Sequence, residues 1–190
     1  MALRRRIRTA RRDRPKDHDA ADAEALAAVV LELPEVQRAS CLTLFASVAG
    51  EVGTAPLRTL LGQNGVRVLM PIVLPNGILE WAWDTGPETD VPSGGLGGPE
   101  PAGARLGVEA VRAAEVLLIP ALAVDTLGRR LGHGAGYYDR ALALAGPAVP
   151  VVALVHEDEV LDAAVEPVPV DSHDIPVHMV ATPRRCLRVN

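Results

Sequence analysis

The feature that most limits the fold of this chain is a pair of almost wholly apolar runs, AEVLLIPAL (114–122) and PVVALVH (150–156). Neither alternates apolar with polar residues, so neither can lie with one face in water. A β-strand that is apolar on both faces belongs inside a sheet covered on both sides. CLTLFAS (41–47), VRVLMPIV (66–73) and VHMVATP (177–183) also read as strands, and GILEWAW (77–83) alternates like another. Helical segments lie between them. DHDAADAEALAAVVLEL has an acidic first turn that suits the helix dipole. TAPLRTLLGQNG opens on Thr54 as a cap and ends in a Gly-rich stop, and YYDRALALA follows later. This alternation predicts a single α/β domain over residues 1–190. Its architecture is a three-layer α/β/α sandwich around a mostly parallel or mixed central sheet.

Only one Phe, two Trp and two Tyr occur in 190 residues. The core must therefore be built from Ala, Val and Leu. Trp81 and Trp83, on an alternating strand, are not expected both to face inward; one is expected along a ligand cleft, with Trp83 the better candidate for the core. Cys41 and Cys186 stand far apart without partner spacing. That argues against a disulfide framework or a zinc site and for a reducing compartment, hence the cytoplasm. No apolar run has bilayer-spanning length, and no signal-peptide pattern opens the chain. Residues 84–103 hold six Gly and four Pro, and such long irregular loops in compact domains are usually functional or mobile.

The net charge of −5 conceals an asymmetry. Residues 1–16 carry eight of the 19 Lys and Arg against Asp13 alone, which leaves 23 of the 24 acidic residues for the rest. An acidic body disfavours nucleic acid. The basic start places Leu3, Ile7 and Ala10 on one helical face. Left at that, it reads as a solvated helix, a transit peptide or an arm that meets an anion.

RRLGHGAGYYDR (129–140) is the segment with chemistry in it. It follows an apolar strand and opens a helix. In open α/β sheets, ligands bind beyond the carboxyl ends of strands. Glycines let backbone N–H groups approach phosphate oxygens, and the helix start adds free N–H groups and a positive dipole end. Arg129 and Arg130 can make charge-assisted bonds. Asp139 in the first helical turn can offer oxygen to Mg²⁺. Taken as a bare G-x-G-x-G, the same segment is more often a plain helix-capping turn.

The longer pattern is more specific. VDTLGRRLGHGAGYYD (124–139) resembles the FD..G.RLG.G.GYYD signature of the 5-formyltetrahydrofolate cyclo-ligase (5,10-methenyltetrahydrofolate synthetase) family. The resemblance spans nearly the whole chain. LRRRIRTARR resembles the family's N-terminal basic helix, and LFASVAGEVGTAPL its E-[IV]-x-T segment. VRVLMPIV resembles a strand ending in Pro, and GGPEP a short EP motif. VEPVPVDSHDIPVHMVATP resembles the C-terminal segment with a His-Asp pair before the last strand.

The resemblance implies ATP- and Mg²⁺-dependent cyclisation of 5-formyltetrahydrofolate, with or without a polyglutamate tail. The product is 5,10-methenyltetrahydrofolate, formed through an iminium phosphate with release of ADP and phosphate. It implies a monomer that binds neither nucleic acid nor membrane. Arg4 matches the Arg of a Lys-x-x-x-Arg pair at the nucleotide, whose Lys would fall one position ahead of Met1. Arg130, Leu131, Gly132, His133, Gly134, Ala135 and Gly136 match the nucleotide-binding turn, which continues into Tyr137 and Tyr138. Arg130 and the two tyrosines are the implied catalytic groups, one tyrosine facing ligand and the other packing. Ala46 and Glu51 match the folate side, which shares His133, Gly134, Ala135, Gly136 and Tyr137 with the nucleotide. Asp139 and Asp174 match Mg²⁺ ligands. Asp125 is open between organising the metal and a structural cap.

His133 and Ala135 stand where some family members carry Arg and Lys. Those changes, with the Lys that the Lys-x-x-x-Arg pattern would place ahead of Met1, motivate an alternative, a nucleotide- or phosphate-binding relative without ligase activity. A sugar-phosphate isomerase on a similar scaffold is a third reading.

Overall fold

The computed structural model describes residues 2–74, 77–92, 98–171 and 174–189. Helices α1 (Ala2–Asp13), α2 (Asp19–Leu31) and α3 (Pro34–Arg38) precede strand β1 (Cys41–Thr43). Helix α4 (Ala55–Gln63) leads to β2 (Arg67–Val73), β3 (Leu79–Trp83) and β4 (Arg105–Gly107). After β5 (Val116–Pro120) come the short β6 (Ala123–Asp125) and β7 (Arg130–Leu131), then α5 (Tyr137–Ala145). The chain closes through β8 (Val151–Leu154), β9 (Val160–Leu161), β10 (Met179–Ala181) and β11 (Cys186–Arg188).

Among the described residues, eight strands form one sheet in the order β11-β10-β8-β5-β1-β2-β3-β4. The five from β10 to β2 are parallel, and the flanking pairs are antiparallel. The sheet is thus mixed, with a parallel centre. β5 shows why its sequence does not alternate. Val116 and Leu118 face a core shared with Leu26 and Val30 of α2 and Leu57 and Leu61 of α4. Leu117 and Ile119 face the opposite core, shared with Ala141 and Leu142 of α5. Two apolar cores on two faces make the three layers.

A second, three-stranded sheet, β7-β6-β9, stands apart from the first. Ile7 of α1 packs in one cluster with its Ala123, Leu131 and Leu161 and with Leu122 just before β6, with Leu3 beside them. The basic helix is therefore a docked amphipathic helix. Its buried stripe runs 3, 7, 11, because Ala10 is exposed and Arg11 is buried in its place.

Local expectations change at several points. The segment 41–47 is strand only to Thr43, and its remainder runs out of the sheet. Thr54 sits at the N-cap position of α4, but its hydroxyl does not cap. It donates to Phe45 O at 2.7 Å and accepts from Ser47 N at 3.2 Å, which closes the intervening loop. Trp81 and Trp83 are two apart on β3 and share one face. Trp81 is the fully buried one, while Trp83 is half-buried with the Arg67 guanidinium 4.8 Å from its ring centre. Neither lines the cleft described below.

The irregular segment after β3 is tied down by a buried cation. Arg58 of α4 donates to Asp84 at 2.9 Å and to Asp90 at 2.6 and 2.7 Å. An antiparallel bridge from Val91 to Glu100 then brings the segment back.

Candidate active site

Parallel strands deliver their carboxyl ends to one edge of the sheet. Beyond β1, β2 and β5 lies a cleft of about 790 Å³. From β1 the chain continues to β2 on one side, while β5 flanks it on the other. The cleft therefore sits where the winding of the sheet changes direction, the usual ligand position in such folds. Phe45 and Ala46 reach it from β1, Pro71 and Val73 from β2, and Pro120 from β5.

The Gly-rich turn forms one wall. Gly134 and Gly136 have φ of +101° and +67°, which L side chains rarely adopt, so glycine is required at both. Three arginines hold the turn by its carbonyls, and two of them, Arg4 and Arg8, also line the cleft. Arg4 Nε donates to Gly132 O at 3.0 Å, and Arg8 Nη2 to His133 O at 3.1 Å. Arg140 Nη2 donates to Ala135 O at 2.9 Å. Among the described residues, the backbone N–H groups of 132–136 donate to no protein acceptor. Carbonyls occupied by cations, with N–H groups free, make a cradle for an anion.

Arg130 opens this turn. Its side chain is buried, with Nη2 donating to Asp139 Oδ1 in the first turn of α5. Its Nε is also buried and has no hydrogen-bond partner among the described residues. A buried, unpaired guanidinium N–H on the wall of a cleft is costly unless a ligand oxygen accepts it. Leu131, next in sequence, points its side chain into the small core beside Ile7 and not into the cleft.

Glu51 stands across from the turn, in the loop between β1 and α4. Its side chain is only 7% exposed. Oε2 accepts from Val48 N at 3.1 Å. Oε1 lies 3.4 Å from His133 Nε2 and 3.7 Å from Arg11 Nη1. Tyr137 and Tyr138 both line the cleft and both pack against the core behind it. Burial pushes the Tyr138 phenol far above its ordinary value. The Glu51 carboxylate pushes it further, and Arg130 partly offsets both. The hydroxyl therefore stays protonated as a donor across the physiological range.

Asp139 and Asp174 both line the cleft, and Asp174 Oδ2 accepts from Asp171 N at 2.7 Å. Among the described residues, no group of three or more His, Cys, Asp or Glu is gathered as a metal site. His173 and Gly97, from the motifs noted above, lie outside the described residues. Asp125 is fully buried and away from the cleft. It accepts from Leu127 N at 3.0 Å, Arg129 N at 3.1 Å and Val168 N at 3.0 Å. It thus shapes the loop that precedes the Gly-rich turn, the structural-cap reading.

Sequence reasoning passed over Arg8, Arg11 and Arg140. Arg8 lies four residues beyond Arg4 and shares its helix face, a spacing that could have paired them. No spacing points to Arg140 or to the buried role of Arg11. The far end of the 84–103 segment, Gly98 to Glu100, also lines the cleft, which fits the EP motif.

Residues 1–183 match the model of the 5-formyltetrahydrofolate cyclo-ligase family. The chain is 36% identical over 178 residues to the 5-formyltetrahydrofolate cyclo-ligase of Mycolicibacterium smegmatis, covering 92% of this chain and 89% of that protein. To the enzyme of the same name from Escherichia coli K12 it is 29% identical over 181 residues, covering 94% and 97%. The NMR structure of Aquifex aeolicus 5,10-methenyltetrahydrofolate synthetase superposes with a TM-score of 0.81 at 25% identity, covering 100% of this chain and 92% of that one. A Mycoplasma pneumoniae 5,10-methenyltetrahydrofolate synthetase shares the fold, with a TM-score of 0.73 at 17% identity over 96% and 98%. No helix among the described residues is long and apolar enough to cross a membrane.

Proposed function

Because the chain belongs to the 5-formyltetrahydrofolate cyclo-ligase family, we propose that this cleft binds 5-formyltetrahydrofolate beside ATP and Mg²⁺ and closes the folate to 5,10-methenyltetrahydrofolate. The observation that carries the reading is one wall with free N–H groups and an unpaired buried Arg130 Nε, facing one fixed carboxylate, Glu51. The first suits phosphate oxygens. The second suits an aminopyrimidinone edge, which offers two donors.

The chemistry calls for both. A formamide carbonyl is a poor electrophile, because nitrogen donates into it. Phosphorylation of the formyl oxygen gives an iminium phosphate and ADP. N10 of the same molecule then attacks that carbon, and phosphate leaves. The protein's task is positioning and charge neutralisation. In this reading Arg130 and the 132–136 N–H groups take the phosphoryl oxygens. Arg4 and Arg8 keep the turn in place through its carbonyls. The neutral Tyr138 hydroxyl and Tyr137 border the reacting groups. Glu51 orients the pterin.

Asp139 and Asp174 are the residues that would hold Mg²⁺. Two carboxylates fit that ion, which usually keeps waters and phosphate oxygens as its remaining ligands. When bound, it supplies charge neutralisation at the phosphates. The reading without ligase activity rests on the unmatched N-terminal Lys and on His133 and Ala135 in place of cations. Four arginines (Arg4, Arg8, Arg130 and Arg140) nevertheless converge on this turn or its flanks, so positive charge is not lacking.

Binding tests the proposal. 5-Formyltetrahydrofolate should raise the melting temperature of the protein, and Mg-ATP should raise it further. A folded protein whose melting temperature responds to neither ligand would contradict the assignment of the cleft.

A further inference from the structure

Arg11 does not line the cleft, yet it meets both the carboxylate of Glu51 and the backbone immediately before it. It continues the apolar stripe of α1 into the protein interior, where its side chain is 7% exposed. Nε donates to Glu159 Oε1 at 2.7 Å and Nη2 to Glu159 Oε2 at 2.9 Å, a two-pronged pair with a carboxylate that is itself 2% exposed. Nη2 also donates to Ala121 O at 2.6 Å, just past the end of β5. Nη1 lies 3.7 Å from Glu51 Oε1.

A second contact points the same way. Gly50, immediately before Glu51, has φ of +87°, and a Cβ there would come within 3.0 Å of Arg11 Cβ. The loop carrying Glu51 is therefore seated directly on Arg11, backbone and side chain together. Glu159 has other partners, namely Arg14 at 3.4 Å and the backbone N–H of His156 at 3.0 Å. Glu51 has Val48 N–H and the half-exposed His133 ring. Arg11 is the one side chain that contacts both carboxylates among the described residues.

We propose that Arg11 is the positioning residue of the folate half of the site, holding Glu51 at the angle and distance its ligand requires. The inference rests on the folate reading of Glu51. It separates the two halves of the cleft. Arg4 and Arg8, on the same helix, serve the phosphate turn, whereas Arg11, one turn further, serves the carboxylate opposite. A guanidinium with a two-pronged anchor fixes direction as well as charge, which an ammonium does less well.

The test compares wild type, Arg11→Met and Arg11→Lys by calorimetric titration with 5-formyltetrahydrofolate and with Mg²⁺ plus a non-hydrolysable ATP analogue. Arg11→Met should weaken folate binding by about tenfold to a hundredfold, the scale of a misplaced binding group. Nucleotide binding should change by less than about threefold, as for a group outside that half-site. Arg11→Lys should recover part of the folate loss. In turnover, KM for folate should rise more than kcat falls. Should Arg11→Met not fold, Glu159→Gln removes the charge that anchors Arg11 and should show the same selectivity at smaller size. Equal losses for both ligands, or no loss for folate, would overturn the inference. Absence of folate binding by the wild-type protein would overturn the folate reading of Glu51 and this inference with it.

Discussion

Arg130 donates from Nη2 to Oδ1 of Asp139, so the first residue of the Gly-rich turn is latched to the first turn of the helix that follows it. A carboxylate that we propose as a Mg²⁺ ligand is thus already paired with an arginine. That arginine's buried Nε–H has no hydrogen-bond partner among the described residues. A phosphate that accepts from Arg130 lessens its hold on Asp139, and the two ligands then assist each other.

Mg²⁺ alone should therefore bind weakly, and nucleotide should tighten it by on the order of tenfold or more, within the usual range of coupling between sites. Asp139→Asn keeps an oxygen for Arg130 but loses the charge. It should unfold cooperatively near the wild-type temperature and lose most of the coupling, together with about a hundredfold or more of turnover, as when a charge-stabilising group is removed. Calorimetry with and without nucleotide checks the first statement and steady-state kinetics the second. Near-wild-type turnover in Asp139→Asn would exclude it as an essential ligand.

Glu51→Ala should weaken folate far more than nucleotide. A charged hydrogen bond contributes about 1.5–3 kcal/mol, so a folate loss of roughly tenfold to a hundredfold is expected. Paired titrations of the two ligands measure it, and matching losses would count against the pterin role.

The Asp125 carboxylate accepts three backbone N–H groups at full burial. Asp125→Asn leaves one acceptor oxygen in place of two. The variant should lose about 1–3 kcal/mol, the scale of leaving a buried donor unsatisfied. Denaturant unfolding gives the value. Retained stability with lost metal affinity would instead return Asp125 to the metal.

The pattern of these residues shows what was legible beforehand. The three-layer fold followed from runs such as 114–122, because only a doubly covered strand tolerates apolar residues on both faces. The turn at 132–136 was legible because glycine spacing and the tyrosine pair form a long motif. The small sheet β7-β6-β9 was not, since strands of two or three residues carry no periodicity of their own. Arg11 was hidden for another reason. Its burial depends on Glu159, 148 residues away, and no local pattern records so distant a partner. Arg58 is a parallel case, an ordinary helix residue in sequence that is buried because Asp84 and Asp90 fold back on it.

His156 introduces a pH dependence. Burial holds its imidazole below the ordinary 6.5, and the neighbouring Arg14 and Arg11 add to that, against Glu159. Between the depressed folded value and 6.5, the unfolded chain binds more protons than the native one, so stability rises with pH there. Stability should therefore fall as pH drops below 6.5. His156→Asn, which keeps a side chain suited to capping, should flatten that slope. Melting temperatures between about pH 5 and 7 test it, and an unchanged slope in the variant would assign the effect to other groups.

Turnover of 5-formyltetrahydrofolate with Mg-ATP, followed by the near-ultraviolet absorbance of the methenyl product, tests the central claim most directly. The account predicts product only when ATP and Mg²⁺ are both present, with ADP and phosphate released in equal amount. Product formed without ATP, or none from folded protein that binds both ligands, would contradict it.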